Sequence, residues 1–125
     1  MGTQMNYDND NIFAKIIRGK MPCKKVFEDE YVLAIHDEFP KAPVHVLIMP
    51  KGEYESFTDF SANASEEEMT ALMRAVGKVV KEMKLAKDGY RVISNAARFG
   101  GQEIYHFHLH VLGGCPLGPM LARPV

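Results

Sequence analysis

Residues 105–111 alternate between apolar and polar side chains, which is the period of a β-strand. The apolar set is Tyr105, Phe107, Leu109 and Val111. The polar set is His106, His108 and His110. A strand directs alternate side chains to opposite faces, so the segment is predicted to hold three imidazole rings in a row above an apolar face.

Two other segments have the period of a helix. A short one starts after cap candidates at Asn9–Asn11 and ends near Gly19, with apolar positions at Ile12, Phe13, Ile16 and Ile17. A long one starts with a capping box at Ser65–Glu68 and is predicted to continue to about Leu85. Its apolar stripe is Met69, Leu72, Met73, Val76, Val79, Val80 and Met83. We expect the stripe to pack on a sheet.

Runs rich in apolar and β-branched residues predict further strands. Val26–Glu28 and Tyr31–Asp37 would form a hairpin around an acidic turn. Ala42–Lys51 contains two prolines and is almost entirely apolar after His45, which indicates a strand buried on both faces.

A turn at Lys87–Gly89 leads into a strand at 90–95, which should pair with the histidine strand. The stretch 52–64 is predicted to be irregular. Together the elements predict an α+β fold of about five antiparallel strands with one long and one short helix. The long helix would cover one face of the sheet, and the histidine row would lie exposed on the other.

Composition indicates a single domain over 1–125, because a chain of this length buries roughly two-thirds of its unfolded surface. Fifteen Lys and Arg residues stand against sixteen Asp and Glu residues. The chain therefore lacks the basic excess that nucleic acid binding requires. Cys23 and Cys115 form no C-x-x-C pair and are expected to be reduced thiols.

The two ends of the chain are predicted to lie outside the core. Residues 1–9 are interpreted as a flexible extension and 115–125 as a tail. The first eleven residues lack the basic and apolar regions of a secretory signal. No run approaches the ~20 apolar residues that cross a bilayer. We expect a cytoplasmic protein with no membrane partner.

Three histidines on one polar face need a reason, because Thr, Lys or Glu would suit solvent equally well. Zinc binding by the whole row is disfavoured. Alternate strand residues lie roughly 6.6 Å apart and the outer pair about 13 Å apart, whereas zinc–nitrogen bonds are about 2.0–2.1 Å long. Imidazole can act as a base, an acid or a nucleophile near neutral pH. The row is therefore interpreted as a catalytic site.

The run His106–Leu112 resembles the histidine triad pattern, in which three alternating histidines are followed by two apolar residues. Gly100–Gln102 before it and Gly113–Gly114 after it are similar to the Hint branch of that family, the nucleoside phosphoramidases and nucleotidyl hydrolases. Pro116–Leu121 looks like the tail of bacterial members. The resemblance covers about Asp10 to Leu121.

The resemblance implies a homodimeric hydrolase of purine nucleoside 5′-phosphoramidates and acyl- or aminoacyl-adenylates that needs no metal and no cofactor. His108 would attack the α-phosphorus and form a phosphohistidine intermediate. His110 would hydrogen-bond the phosphate or the bridging atom, and His106 would set the orientation and tautomer of His108. His45 lies in a segment similar to the family's Ala-Pro-x-His and would be a fourth member of the site.

The resemblance also implies a set of nucleotide-binding residues. Asp37 would accept hydrogen bonds from both ribose hydroxyls, with a turn-only role as the alternative. Asn95 and the loop at Gly101 would contact the nucleotide. Glu103 stands where animal members have serine and would favour a cationic leaving group. The other expected contacts are His36 and Glu38, the neighbouring Ile35, and Phe13 and Ile16 of the base pocket, for which a core role alone is the alternative.

Two other functions remain as alternatives. A diadenosine polyphosphate hydrolase would use the same row of histidines. A non-catalytic module that binds purine nucleotides would need Asp37 and Asn95 but not an intact triad, so the presence of all three histidines counts against it.

Overall fold

The computed structural model describes residues 7–122, so the predicted extension at 1–9 and the predicted tail at 115–125 lie partly outside the described residues. The elements are α1 (Ile12–Ile17), β1 (Lys25–Glu28), β2 (Val32–His36), β3 (Val44–Pro50), α2 (Phe57–Asn63), α3 (Glu66–Glu82), β4 (Tyr90–Ile93), α4 (Ala97–Gly100) and β5 (Leu109–Gly113). None of the helices in this range combines the length and the apolar character needed to cross a membrane.

The strands form one antiparallel sheet in the order β1-β2-β3-β5-β4. This confirms the α+β fold, the hairpin of β1 with β2 and the pairing of β4 with the histidine strand. β3 is the central strand, and its Leu47 lies opposite Ile35 on one side and His110 on the other. Directly opposite residues share a face, so His110 lies on the same face as Leu47.

The two faces of the sheet carry different clusters. α3 covers one face, where side chains from the sheet and the helix form the larger core, including Val46, Ile48, Leu72, Val79 and Val111. The opposite face carries a smaller cluster of Phe13, Leu33, Ile35, Leu47 and Met49, with Phe13 supplied by α1. The face of His110 is therefore the one covered by the short helix.

The long helix, α3, begins where it was predicted to begin but ends earlier than predicted. The Ser65 side chain accepts from the Glu68 N–H, and the Glu68 carboxylate accepts from the Ser65 N–H. The helix ends at Glu82 instead of near Leu85, because Lys84 adopts a positive φ of 59°. Met73 of the predicted stripe is 63% exposed and stays outside the core.

The prediction that 52–64 is irregular is wrong, because α2 occupies its second half. The Ser56 hydroxyl accepts from the Asp59 N–H at 3.5 Å, and the Asp59 carboxylate accepts from the Glu55 N–H at 2.8 Å. This serine and an acid three residues later are a helix-start signal. The side chain of Phe60 is buried in the core and anchors the helix there. α4 also lies where the sequence predicted only a loop.

The histidine strand begins later than predicted, because its pairing with β3 ends where Leu109 lies opposite Ile48. Continued in the same register, the ladder would set His108 against Met49 and then Phe107 against Pro50, and proline has no N–H to donate. The Phe107 N–H instead donates to the Tyr54 carbonyl at 2.7 Å.

Side chains still alternate through the segment before β5. Phe107 is buried in the core under α3, while His106 and His108 lie on the other side. Tyr105, which was predicted to face the core, is 43% exposed. The apolar face therefore begins at Phe107.

β5 ends at Gly113, which lies opposite both Val44 and Tyr90. A Cβ atom at this position would lie 2.8 Å from Cδ2 of Leu85. Glycine is needed here because Leu85 packs directly on the strand backbone.

Candidate active site

Four histidines meet on the sheet face opposite α3. His45 lies in β3, His110 lies in β5, and His106 and His108 lie in the segment that leads into β5. The ring centroids of His108 and His110 are 5.0 Å apart, and those of His45 and His110 are 5.2 Å apart. The structure thus brings together the four histidines singled out from the sequence.

Backbone carbonyls determine which nitrogens of His106 and His108 carry protons. Nε2 of His106 lies 2.7 Å from the Pro50 carbonyl oxygen, and Nδ1 of His108 lies 2.6 Å from the His106 carbonyl oxygen. A carbonyl can only accept a hydrogen bond, so both ring nitrogens are assigned as N–H donors. A neutral His108 therefore has its lone pair on Nε2.

A backbone amide determines the protons of the other pair. The Lys41 N–H donates to Nδ1 of His45 at 3.0 Å, so a neutral His45 carries its proton on Nε2. That Nε2 lies 2.9 Å from Nδ1 of His110 and donates to it. A neutral His110 then carries its proton on Nε2. The two neighbouring rings thus differ in hydrogen-bonding role, because Nε2 of His108 carries a lone pair whereas Nε2 of His110 carries a proton.

Burial keeps the four rings neutral at pH 7. It lowers the pKa of His106 to about 4, and it lowers the pKa of His110 to about 4 with smaller contributions from His108 and His45. Burial also lowers the pKa of His45 against the attraction of Asp37, and the pKa of His108 against its hydrogen bond to the His106 carbonyl. The tautomers assigned above are therefore those of the rings at neutral pH.

The prediction that the row is exposed is wrong, since His106 is 1% exposed and His108 is 9% exposed. Phe13 of α1 meets the ring of His108 edge to face, with centroids 4.8 Å apart. Tyr7 lies just before α1, and its hydroxyl oxygen is 2.5 Å from Nδ1 of His106. The apolar face of α1 is buried against the sheet, and the histidine row is part of the surface that α1 covers. Tyr7 was not recognised from the sequence.

Asp37 follows β2 and lies beside His45. Its Oδ1 accepts from the Phe39 N–H at 2.8 Å, and its Oδ2 lies 3.4 Å from Nε2 of His45. The carboxylate thus shapes the turn and also borders the site. Asp37, His45 and His110 bring three possible metal ligands within 4.8 Å, the one such group found in residues 7–122. Imidazole and carboxylate are zinc ligands, but the hydrogen bonds above already give these groups partners.

The residues predicted for the base pocket divide between core and surface. Phe13 and Ile35 are buried in the cluster beneath α1, and Ile16 is partly buried against it. His36 and Glu38 are exposed at the end of β2 and just beyond it. Phe13 also touches the histidine row, through the rings of His108 and His106.

The predicted loop residues lie around α4. The Asn95 amide donates to the Gly100 carbonyl at 2.7 Å and so braces the loop. Gly101 ends α4 with a φ of 77°, a conformation that glycine adopts without steric cost. Glu103 is exposed just beyond it.

Gln102 organises this loop and was quoted from the sequence only as part of a motif. Its Nε2 donates to the carbonyls of Glu55 at 2.6 Å and Ile104 at 3.0 Å. Its Oε1 accepts from the Ala97 N–H at 3.0 Å. Ala97 has a φ of 58°, which is costly for any residue with a side chain. The buried amide therefore holds the loop in a strained shape.

Comparison with known proteins gives a consistent result. The sequence profile of the HIT domain family matches residues 18–117. A HIT-like protein of Azospirillum brasilense is 50% identical over 117 residues, covering 94% of this chain and 96% of its own. The purine nucleoside phosphoramidase of Escherichia coli K12 is 44% identical over 114 residues, covering 91% and 95%.

Solved structures agree with these relatives. A HIT family hydrolase from Clostridium thermocellum superposes with a TM-score of 0.83 at 37% identity, covering 91% of this chain and 98% of its own. A histidine triad protein from Clostridium difficile gives a TM-score of 0.81 at 38% identity, with the same coverage.

The lowered pKa of His106 predicts that acid destabilises the protein. An unfolded imidazole has a pKa of about 6.5, so the unfolded state takes up this proton first as the pH falls towards the folded pKa of about 4. The contribution of His106 to the free energy of unfolding is therefore complete above pH ~6.5 and is lost below it. In His106→Asn, the decrease between pH 7 and 4 should be smaller by roughly 2–3 kcal/mol.

Urea denaturation at a series of pH values would measure this difference. His36→Asn is the matched control, because it makes the same substitution at an exposed histidine. Equal pH dependence in wild type and His106→Asn would contradict the assignment of His106 as a buried neutral ring.

Proposed function

The chain belongs to the HIT domain family and is a hydrolase of that family, and we propose that its substrates are purine nucleoside 5′-phosphoramidates and acyl- or aminoacyl-adenylates. The products would be the nucleoside monophosphate and the released amine or acid. The 44% identity to a purine nucleoside phosphoramidase supports this substrate class.

The proposal rests on one observation, which is that the Nε2 atoms of two neighbouring neutral imidazoles differ in protonation. His108 presents a lone pair on Nε2, and His110 presents an N–H, with ring centroids 5.0 Å apart. Displacement at phosphorus needs a nucleophile on one atom and a hydrogen-bond donor for the charge that develops on the phosphate oxygens. The pair supplies both without a proton transfer beforehand.

The first step is attack of His108 Nε2 on the α-phosphorus. A nitrogen–phosphorus bond forms, and the bond from phosphorus to the leaving group breaks. The bridging nitrogen takes a proton from solvent and departs as an amine, whereas an acyl-adenylate releases its carboxylate without that proton. His110 donates its Nε2–H to the phosphate, and His45 holds the opposite nitrogen of that ring. His106 supports the nucleophile through its carbonyl.

The second step is attack of water on the phosphohistidine. It releases the nucleoside monophosphate and a proton to solvent, and it returns His108 to its starting tautomer, since Nδ1 remains bonded to the His106 carbonyl throughout. Dividing one displacement into two lets the same ring serve as nucleophile and then as leaving group.

The nucleotide would be held at the rim of this row. Asp37 borders His45 and is assigned to the ribose, while Phe13, Ile16 and Ile35 line the side of the base. His36 and Glu38 flank the ribose corner. Asn95 and Gly101 shape the loop near the phosphate, and the exposed Glu103 favours cationic leaving groups through charge attraction.

The active form is proposed to be a homodimer. β4 is an edge strand whose Tyr90 and Val92 are 45% and 41% exposed, and Met73 of α3 is 63% exposed. An unpaired edge beside exposed apolar side chains is suited to a second copy of the chain.

His108→Ala is expected to abolish turnover while binding of the nucleoside monophosphate survives. Removing the nucleophile removes an interaction made in the transition state, so kcat should fall on the order of 10³-fold or more, with a similar Kd for the monophosphate. Rapid acid-free quench of wild type with substrate labelled at the α-phosphorus should trap a base-stable, acid-labile label on the protein. Turnover of His108→Ala near the wild-type rate, with no trapped label, would exclude the covalent mechanism.

Steady-state kinetics with an adenosine 5′-phosphoramidate and with diadenosine tetraphosphate would test the substrate class. The phosphoramidate should have the higher kcat/KM. A clear preference for the dinucleotide would favour the polyphosphate hydrolase alternative, and binding of both without turnover would favour a nucleotide-binding module.

Asp37→Asn should weaken the binding of ribonucleotides more than that of 2′-deoxyribonucleotides. The reason is that one carboxylate oxygen, which accepts from the ribose hydroxyls, is replaced by an NH₂ group that can only donate. A loss of about 3- to 30-fold in kcat/KM for the ribonucleotide alone is expected from one or two weakened hydrogen bonds. The deoxyribonucleotide is the internal control. Equal losses for both sugars would remove Asp37 from the ribose site.

A further inference from the structure

Both nitrogens of the His106 ring have partners. Nε2 donates to the Pro50 carbonyl, so a neutral ring has a lone pair on Nδ1. The Tyr7 hydroxyl lies at that nitrogen and must be the donor. The two rings also meet edge to face, with centroids 5.7 Å apart and planes at 70°. Tyr7 and His106 are 99 positions apart in the sequence, so the contact depends on the tertiary fold.

The segment that follows Tyr7 is built into the fold. The Asp8 carbonyl accepts from the backbone N–H of Asn11 at 3.3 Å and from the side-chain amide of Asn11 at 2.7 Å. The Asn9 carbonyl accepts from the Arg18 guanidinium at 2.7 Å. Asn11 is in turn the cap of α1. Tyr7 therefore extends from the turn that starts the helix carrying Phe13.

We propose that Tyr7 is a positioning residue, which holds the His106 ring through its hydroxyl and so keeps the His106 carbonyl aligned with Nδ1 of His108. A ring bonded at both nitrogens cannot flip or change tautomer without breaking a hydrogen bond. The same residue supplies the carbonyl, 2.6 Å from His108, that orients the nucleophile. Tyr7 acts here through the His106 ring, and its kinetic effect rests on the function proposed above.

Tyr7→Phe tests the hydroxyl alone, because the phenyl ring can keep the edge contact with His106. Loss of one hydrogen bond behind the nucleophile should lower kcat for an adenosine 5′-phosphoramidate by about fivefold, while KM stays within about twofold. Tyr31→Phe is the matched control, since Tyr31 lies between β1 and β2 and packs against the core on the opposite face of the sheet. Tyr7→Ala removes the ring as well and should lower kcat at least as far.

Nitrogen-15 NMR of labelled histidine provides a readout that does not depend on turnover. In Tyr7→Phe, the Nδ1 resonance of His106 should move towards the position of an imine nitrogen without a hydrogen-bond donor, while Nε2 remains protonated. In Tyr31→Phe both resonances should stay at their wild-type positions.

The outcomes separate this proposal from the function. If wild type fails to hydrolyse the phosphoramidate but the His106 resonance responds to Tyr7→Phe, the function is wrong and the hold on His106 stands. An unchanged resonance overturns the proposal, whether or not the variant loses thermal stability. A shifted resonance with unchanged kcat in an active enzyme overturns the positioning role.

Discussion

Backbone groups have fixed hydrogen-bonding roles, and the chemistry of this site depends on that constraint. The Pro50 and His106 carbonyls can only accept, and the Lys41 N–H can only donate. These three groups therefore determine the protonated nitrogen on each of the four neutral imidazoles. Since burial keeps the rings neutral, the difference between His108 and His110 is built into the fold before any ligand arrives.

The sheet supplies those backbone groups at the required places. Central strand β3 carries His45 near its start and Pro50 at its end, so one strand contacts the row at both ends. Pro50 also ends the ladder with β5, which leaves His106 outside regular pairing and free to bond the proline carbonyl. Regular structure holds His45 and His110, and its interruption accommodates His106.

Periodicity in the sequence was sufficient for the sheet, the two helical stripes and the row of three histidines, because the spacing of buried residues is a local signal. His45 was assigned to the site only through the family resemblance. Periodicity was insufficient for α2, since Ser56 and Asp59 precede only one buried anchor, Phe60. It also missed the burial of the row. That burial depends on Phe13 and Tyr7, which contact histidines about a hundred positions away, and no local pattern encodes such a contact.

The histidine motif has a repeat of two residues, so a slip of β5 by two positions would keep the histidines on one face of the sheet and Phe107, Leu109 and Val111 on the other. Side-chain polarity alone thus cannot distinguish the correct alignment of β5 from an alignment that is shifted by two residues. Gly113 can, because a slip in either direction would bring Val111 or Cys115 to the place where Leu85 lies against bare backbone. A glycine outside the row therefore determines which histidine faces His45.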